Sequence, residues 1–128
     1  MRLLFELRPV DHLDASVDDY RSLGLEPLGW PDDDTALLGP RGGAATIVLV
    51  RDPAESALGV GGVYDVGDVG VFFGDHPDLD WLIAPVRSTL GWYAVFADRT
   101  SNCIRLLDPS PHPPSAAEPS TDLFAVAG

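Results

Sequence analysis

No lysine occurs in the 128 residues, and all positive charge rests on eight arginines. Against them stand 20 acids, 16 of them aspartate, for a formal charge of −12. A surface of that sign repels phosphate backbones and acidic lipid headgroups, because both are bound through Lys and Arg that displace counterions. Nucleic acid and membrane surfaces are therefore not expected as partners. Cysteine is nearly absent: Cys103 alone excludes an internal disulfide and a Cys-rich zinc site. With no histidine close to it in sequence, it reads as a small side chain in a strand rather than a nucleophile. Long apolar runs are missing as well. A stretch such as Ala44 to Val50 is far too short to span a bilayer, and the N-terminus has no basic region followed by an apolar segment. A soluble, cytoplasmic protein is expected. The excess of Arg, Ala, Gly, Pro and Asp over Lys and Asn matches GC-rich coding, so the acidity by itself assigns no function.

What is present is one domain's worth of chain, with 45% hydrophobic residues to build a single core. Leu3 to Arg8 alternates apolar with polar and predicts a strand that Pro9 ends. Asp14 reads as the N-cap of a helix, with Asp18 and Asp19 in its first turns, Val17 and Tyr20 on its inner stripe and Gly24 as its stop. Strands are predicted at Glu26 to Trp30, Thr35 to Leu38 and Ala45 to Arg51, with turns at Pro31 to Asp34 and Gly39 to Gly43. The Gly-rich residues 56–67 read as a connector. Val69 to Gly74 then reads as a strand, and Pro77 opens a short helix through Leu79, Leu82 and Ile83. Trp92 to Ala97 and Cys103 to Asp108 complete the pattern as two strands around a turn.

The order is βαβββ in module one, over 1–55, and module two, over 68–109, is read as a repeat of it from a strand, a helix and two further strands. The repeat is visible in letters too. Thr35-Ala-Leu-Leu-Gly-Pro-Arg41, followed by a strand ending Arg51-Asp-Pro53, parallels Tyr93-Ala-Val-Phe-Ala-Asp-Arg99, followed by a strand ending Asp108-Pro109. Residues 110–128 form a Pro-rich tail in which His112 reads as solvated, while Leu123 to Val126 is apolar enough to dock.

Asp98-Arg-Thr-Ser-Asn-Cys-Ile-Arg-Leu-Leu-Asp108 resembles the turn and last strand of the vicinal oxygen chelate superfamily, which holds glyoxalases, extradiol dioxygenases and bleomycin-resistance proteins. Asp11-x-Leu13 through Tyr20-Arg-Ser-Leu-Gly24 resembles that family's first helix. The resemblance spans roughly 3–109 and departs at Arg99, usually Pro, and at Ser101, usually Gly. It implies an α+β fold, two βαβββ modules forming a cup-shaped mixed sheet whose floor can carry a divalent metal on His, Gln or Glu. At the implied ligand positions stand Leu4 or Phe5 in the first strand, Thr46 at the end of module one, Asp68 in module two and Arg105 in the last strand. One carboxylate facing a permanent cation is no metal site, so no metal and no cofactor are expected. His12 and His76 precede helices and read as capping or solvated residues.

Alternation puts Leu4, Glu6 and Arg8 on one strand face and Phe5 and Leu7 on the other, the latter suited to packing beneath helices. Arg105 shares a face with Cys103 and Leu107, while Ile104 and Leu106 face the core. Glu6, Arg8 and Arg105, with Asp68 and Phe72 arriving from module two, are the expected polar and apolar lining of a ligand cavity. A Glu6 to Arg105 salt bridge is the plainer alternative. Trp30, beside Asp32 to Asp34, and Trp92 offer flat faces for planar or cationic ligands, or else serve in a core or dimer interface. The leading expectation is a metal-free, small-molecule-sequestering homodimer that binds an aromatic ligand, cationic by preference. The alternatives are a lyase, isomerase or dioxygenase using the same cavity, with Asp68 or Glu6 as base and Arg105 as anion stabiliser, and an accessory domain with a filled cavity.

Overall fold

The computed structural model describes residues 1–109; the tail from Ser110, with His112 and Leu123 to Val126, lies outside the described residues. The first half runs β1 (Arg2–Pro9), α1 (Leu13–Ser22), β2 (Glu26–Asp32), β3 (Thr35–Gly39) and β4 (Ile47–Val50). After α2 (Pro53–Leu58) come β5 (Gly61–Asp65), α3 (Val69–Asp75), β6 (Asp80–Ser88), β7 (Gly91–Ala97) and β8 (Cys103–Asp108). The fold is α+β with βαβββ occurring twice. The chain divides into two compact units: Leu4–Gly62, and the described residues from Val63 onward together with Met1–Leu3.

In the first unit the strands lie in the order β2-β3-β4-β1. β2, β3 and β4 are antiparallel neighbours, and β1 closes parallel to β4 with Glu6 beside Ile47 and Arg8 beside Leu49. α1 packs through Leu13 and Val17 onto Ala36, Leu38, Ile47 and Leu49, with Tyr20 at the margin. That stripe has the spacing the sequence predicts. The cap differs: His12 is the N-cap, without a side-chain bond, and Asp14 sits inside the first turn, where its charge still favours the helix dipole. Gly24 follows the helix at φ 99°, a conformation that suits glycine.

The second unit repeats the plan in the order β5-β8-β7-β6, with β5 parallel to β8. α3 seats Val69 on Trp92, Ala94, Phe96 and Leu106, with Phe72 and Trp81 packed around them. The repeat seen in letters falls on matching elements: β3 and β7 are third strands, β4 and β8 fourth strands.

Three sequence expectations are corrected. Val69 to Gly74 is helix α3 rather than a strand; short apolar runs fit either, and the decision lies with Asp68, whose carboxylate accepts from the Val71 amide at 2.9 Å and caps the helix. Leu79 to Ile83 is not helical. Trp81 and Ile83 alternate with the exposed Asp80 and Leu82 at the start of β6, so the helix-like spacing is a coincidence of a half-buried strand. Residues 56–67 are more than a connector, since they hold the end of α2 and all of β5. α2 is an addition to the expected elements, although Asp52, accepting from the Ala54 amide at 2.8 Å, and Pro53 at the first turn form an N-terminal signal.

Candidate functional site

Each sheet has a face that carries its helix and a face that does not. In the first unit the α1 side holds Leu38, Ile47 and Leu49, and the register of β1 against β4 puts Glu6 and Arg8 on it as well. A hydrogen bond confirms the side: Arg8 Nη1 donates to the Tyr20 hydroxyl at 2.7 Å, and the guanidinium carbon lies 5.5 Å from the Tyr20 ring centroid. Arg8 also pairs with Glu6. The Tyr20 hydroxyl first, and then the Glu6 carboxylate, hold the Arg8 pKa above its ordinary value. The expected faces of β1 are therefore exchanged: Glu6 and Arg8 lie on the helix side, and Phe5 and Leu7 do not. Alternation separates the two sets, but a long arginine can lay its stem along the sheet and keep its head at the margin, so charge alone does not say which set faces the helix. Away from α1, Leu7 lies beside Val48, and Val50 beside Thr35, all fully buried.

In the second unit Trp92, Ala94, Phe96, Ile104 and Leu106 face α3. Tyr93, Val95, Arg105 and Leu107 alternate with them on the other side. There Arg105 sits in register with Val63 on one neighbouring strand and Val95 on the other, and its exposure is 0%. A polar group so enclosed requires hydrogen-bonding partners. The expected separation of Arg105 from Ile104 and Leu106 is what the strand shows.

The seven expected ligand residues are divided between the two units: Glu6, Arg8 and Trp30 in the first, Asp68, Phe72, Trp92 and Arg105 in the second. Glu6 and Arg8 are together beside α1. Phe72 and Trp92 share the α3 core, where the Phe72 ring stacks on His76 at 4.1 Å and meets Trp81 edge-on at 6.2 Å. Asp68 is occupied as a helix cap, Arg105 is buried on the opposite face, and Trp30 is 50% exposed on β2. Within the first unit Glu6 is held by Arg8. Two clefts are peripheral. One, about 370 Å³, lies between Val10, Asp11, His12, Ser16 and Asp19; the other, about 200 Å³, is bounded by Arg87, Ser88, Thr89, Trp92 and Pro109.

No family model matches the chain, and no curated protein does. Solved structures do match. NAD-dependent benzaldehyde dehydrogenase from Legionella pneumophila superposes with a TM-score of 0.61 at 16% identity, over 80% of this chain and 95% of that one. The Mn(II)-bound glyoxalase from Novosphingobium aromaticivorans superposes with a TM-score of 0.57 at 15% identity, over 91% of this chain and 42% of that one. The fold is glyoxalase-like. At these identities the likeness concerns the fold alone, and the chain spans less than half the length of the glyoxalase.

The positions at which the sequence resemblance implies metal ligands can be read residue by residue. The second module's first strand is β5, so the residue beside Arg105 is Val63, not Asp68. β1 offers Leu4 or Phe5, Thr46 lies exposed just before β4, and β8 offers Arg105. Among the described residues no three of His, Cys, Asp or Glu come together in a group that could hold a metal ion. Valine and phenylalanine carry no donor and arginine repels a cation, so these residues do not fit a divalent metal. Two buried carboxylates among the described residues lie outside the expected set: Asp108, 1% exposed at the end of β8, and Glu55, 0% exposed on α2. The signal for Glu55 is the Asp52-Pro53 helix start, which places it on a helix and not in a connector.

Proposed function

We propose that this chain is a metal-independent binding protein on the vicinal oxygen chelate fold, sequestering a small aromatic ligand with a preference for cations. The observation that carries the reading is the replacement of donor atoms at the matching strand positions by Val63, a Leu4 or Phe5 side chain, and Arg105. The charge of −12 supplies the preference for cations, raising their local concentration and speeding their encounter. The sequestering reading is supported further by the engagement of the two candidate bases, Asp68 as the cap of α3 and Glu6 in its pair with Arg8. A second reading, an accessory domain with a filled interior, is favoured by one observation. On the helix-free strand faces, Leu7, Val48, Val95 and Arg105 are each 0% exposed.

Chelator-dialysed protein titrated with cationic and matched neutral aromatic compounds, followed by tryptophan fluorescence, separates the readings. Saturable quenching that is stronger for the cations and unchanged by added Mn(II) is expected from sequestration. Binding that appears only with Mn(II), or stoichiometric metal uptake in calorimetry, would overturn the metal-independent reading. A flat response across the panel assigns the filled-interior domain.

A further inference from the structure

β2 is the outer strand of the first unit, with β3 as its neighbour, and it leaves Leu28 40% and Trp30 50% exposed. Large apolar side chains two residues apart on an outer strand mark an unpartnered surface. Around them the charge has one sign. Glu26 begins β2, Asp32 ends it, and Asp33 and Asp34 form the following turn. Arg51 answers Asp34 at 2.7 Å, while Asp33 is exposed and has no ion pair among the described residues. An exposed tryptophan bordered by carboxylates suits a guanidinium or ammonium, which the ring attracts through its face and the acids through their charge.

We propose that this edge is a docking surface for a partner protein presenting Arg or Lys beside an apolar side chain. Charge complementarity selects that occupant. A second copy would bring the same four carboxylates against these, and nucleic acid or an anionic membrane would be repelled. Strand addition is blocked as well: Pro27 and Pro31 have no amide hydrogen to donate, and the pairing with β3 shifts register at two places. Recognition therefore runs through side chains, with Trp30 as the anchor and Leu28 as its apolar neighbour. The proposal stands apart from the small-molecule reading above and uses a different probe.

The test is calorimetric titration of the full chain with a synthetic peptide of repeated Arg-Leu-Gly units, beside a control peptide in which Gly replaces each Leu. Wild type is expected to bind the first more tightly. Trp30→Ala should weaken it by about tenfold, the size expected for removing an aromatic anchor, whereas Trp30→Phe keeps most of the binding. Asp33→Asn should weaken it by about twofold and flatten its salt dependence. Trp30 is half exposed, so matching melting curves verify that the variants fold. Equal binding of wild type and Trp30→Ala would assign the effect to net charge alone and overturn the proposal, as would no binding of either peptide. A wild-type dimer in sedimentation that Trp30→Ala dissociates would also overturn it, since the occupant would be a second copy.

Discussion

In the first unit Glu6 and Arg8 lie on the side of the sheet that carries α1 and keep 43% and 35% of their side chains exposed. In the second, Arg105 lies on the side away from α3 and keeps none exposed. The helix-side cores differ in the same way. Under α1 the packing is aliphatic, Leu13 and Val17 on Leu38 and Leu49, with Arg8 reaching Tyr20 at its margin. Under α3 it is aromatic: Trp81 meets Phe96 at 5.4 Å and Phe73 at 4.8 Å. A repeated backbone plan thus fixes strand order and helix position and leaves free which face receives a charge. The two choices differ in energy, because a charge at the margin is screened by water and a charge within the sheet is not.

The sharpest test of that contrast replaces each arginine by methionine. Arg105→Met should lower unfolding stability by about 3–5 kcal/mol in urea titrations at pH 7, since removal of a buried charge leaves the groups around it uncompensated. Arg8→Met should cost about 1 kcal/mol or less, as exposed pairs do. Equal losses would break the comparison. Next in size is Tyr20→Phe, which removes the acceptor of the Arg8 hydrogen bond; a loss of about 1 kcal/mol is expected, vanishing when Arg8 is already methionine. An undiminished effect in the double variant would show that the hydroxyl acts through something other than Arg8.

The smallest effect belongs to the turn between β7 and β8. The Asn102 backbone amide, then its side-chain amide, and Thr100 donate to the Asp98 carboxylate and hold its pKa below the ordinary value. A carboxylate depressed in the folded state stabilises above its unfolded pKa, near 4, and that contribution fades as pH falls through the folded value. Asp98→Ala should accordingly melt lower than wild type at pH 7, with the gap narrowing below about pH 4. A gap independent of pH would remove ionisation from the account.

Much of the fold is legible in the sequence, because its signals are of long period or paired. The α1 stripe rests on 3.6-residue spacing, and β3, β7 and β8 are apolar runs bounded by turn residues, which burial enforces directly. Failures cluster between Asp52 and Ile83, where runs are short. Val69-Gly-Val-Phe-Phe73 is apolar throughout, so no period exists to separate helix from strand, and one carboxylate at Asp68 decides it. The site is less legible than the fold. Arg105 falls on the expected face, because Ile104 and Leu106 fix its parity, while Glu6 and Arg8 fall on the opposite one from that expected. Phe72, from α3, and Trp92, on β7, belong to the packed cluster between that helix and the sheet, the core role the sequence analysis holds as the alternative for Trp92. Parity along a strand is local; which face meets a helix depends on residues far away in sequence.

The parallel pairing of β1 with β4, and of β5 with β8, governs the order in which the molecule can be made. β1 has no parallel mate until three further elements have followed it, whereas β2 can find β3 at once across a tight turn. During synthesis Phe5 and Leu7 must therefore wait unsheltered until β4 emerges. The interval is brief, but it is when a hydrophobic strand is most open to capture by the wrong neighbour, and the charged Glu6 and Arg8 between and beside those residues are well placed to keep it soluble.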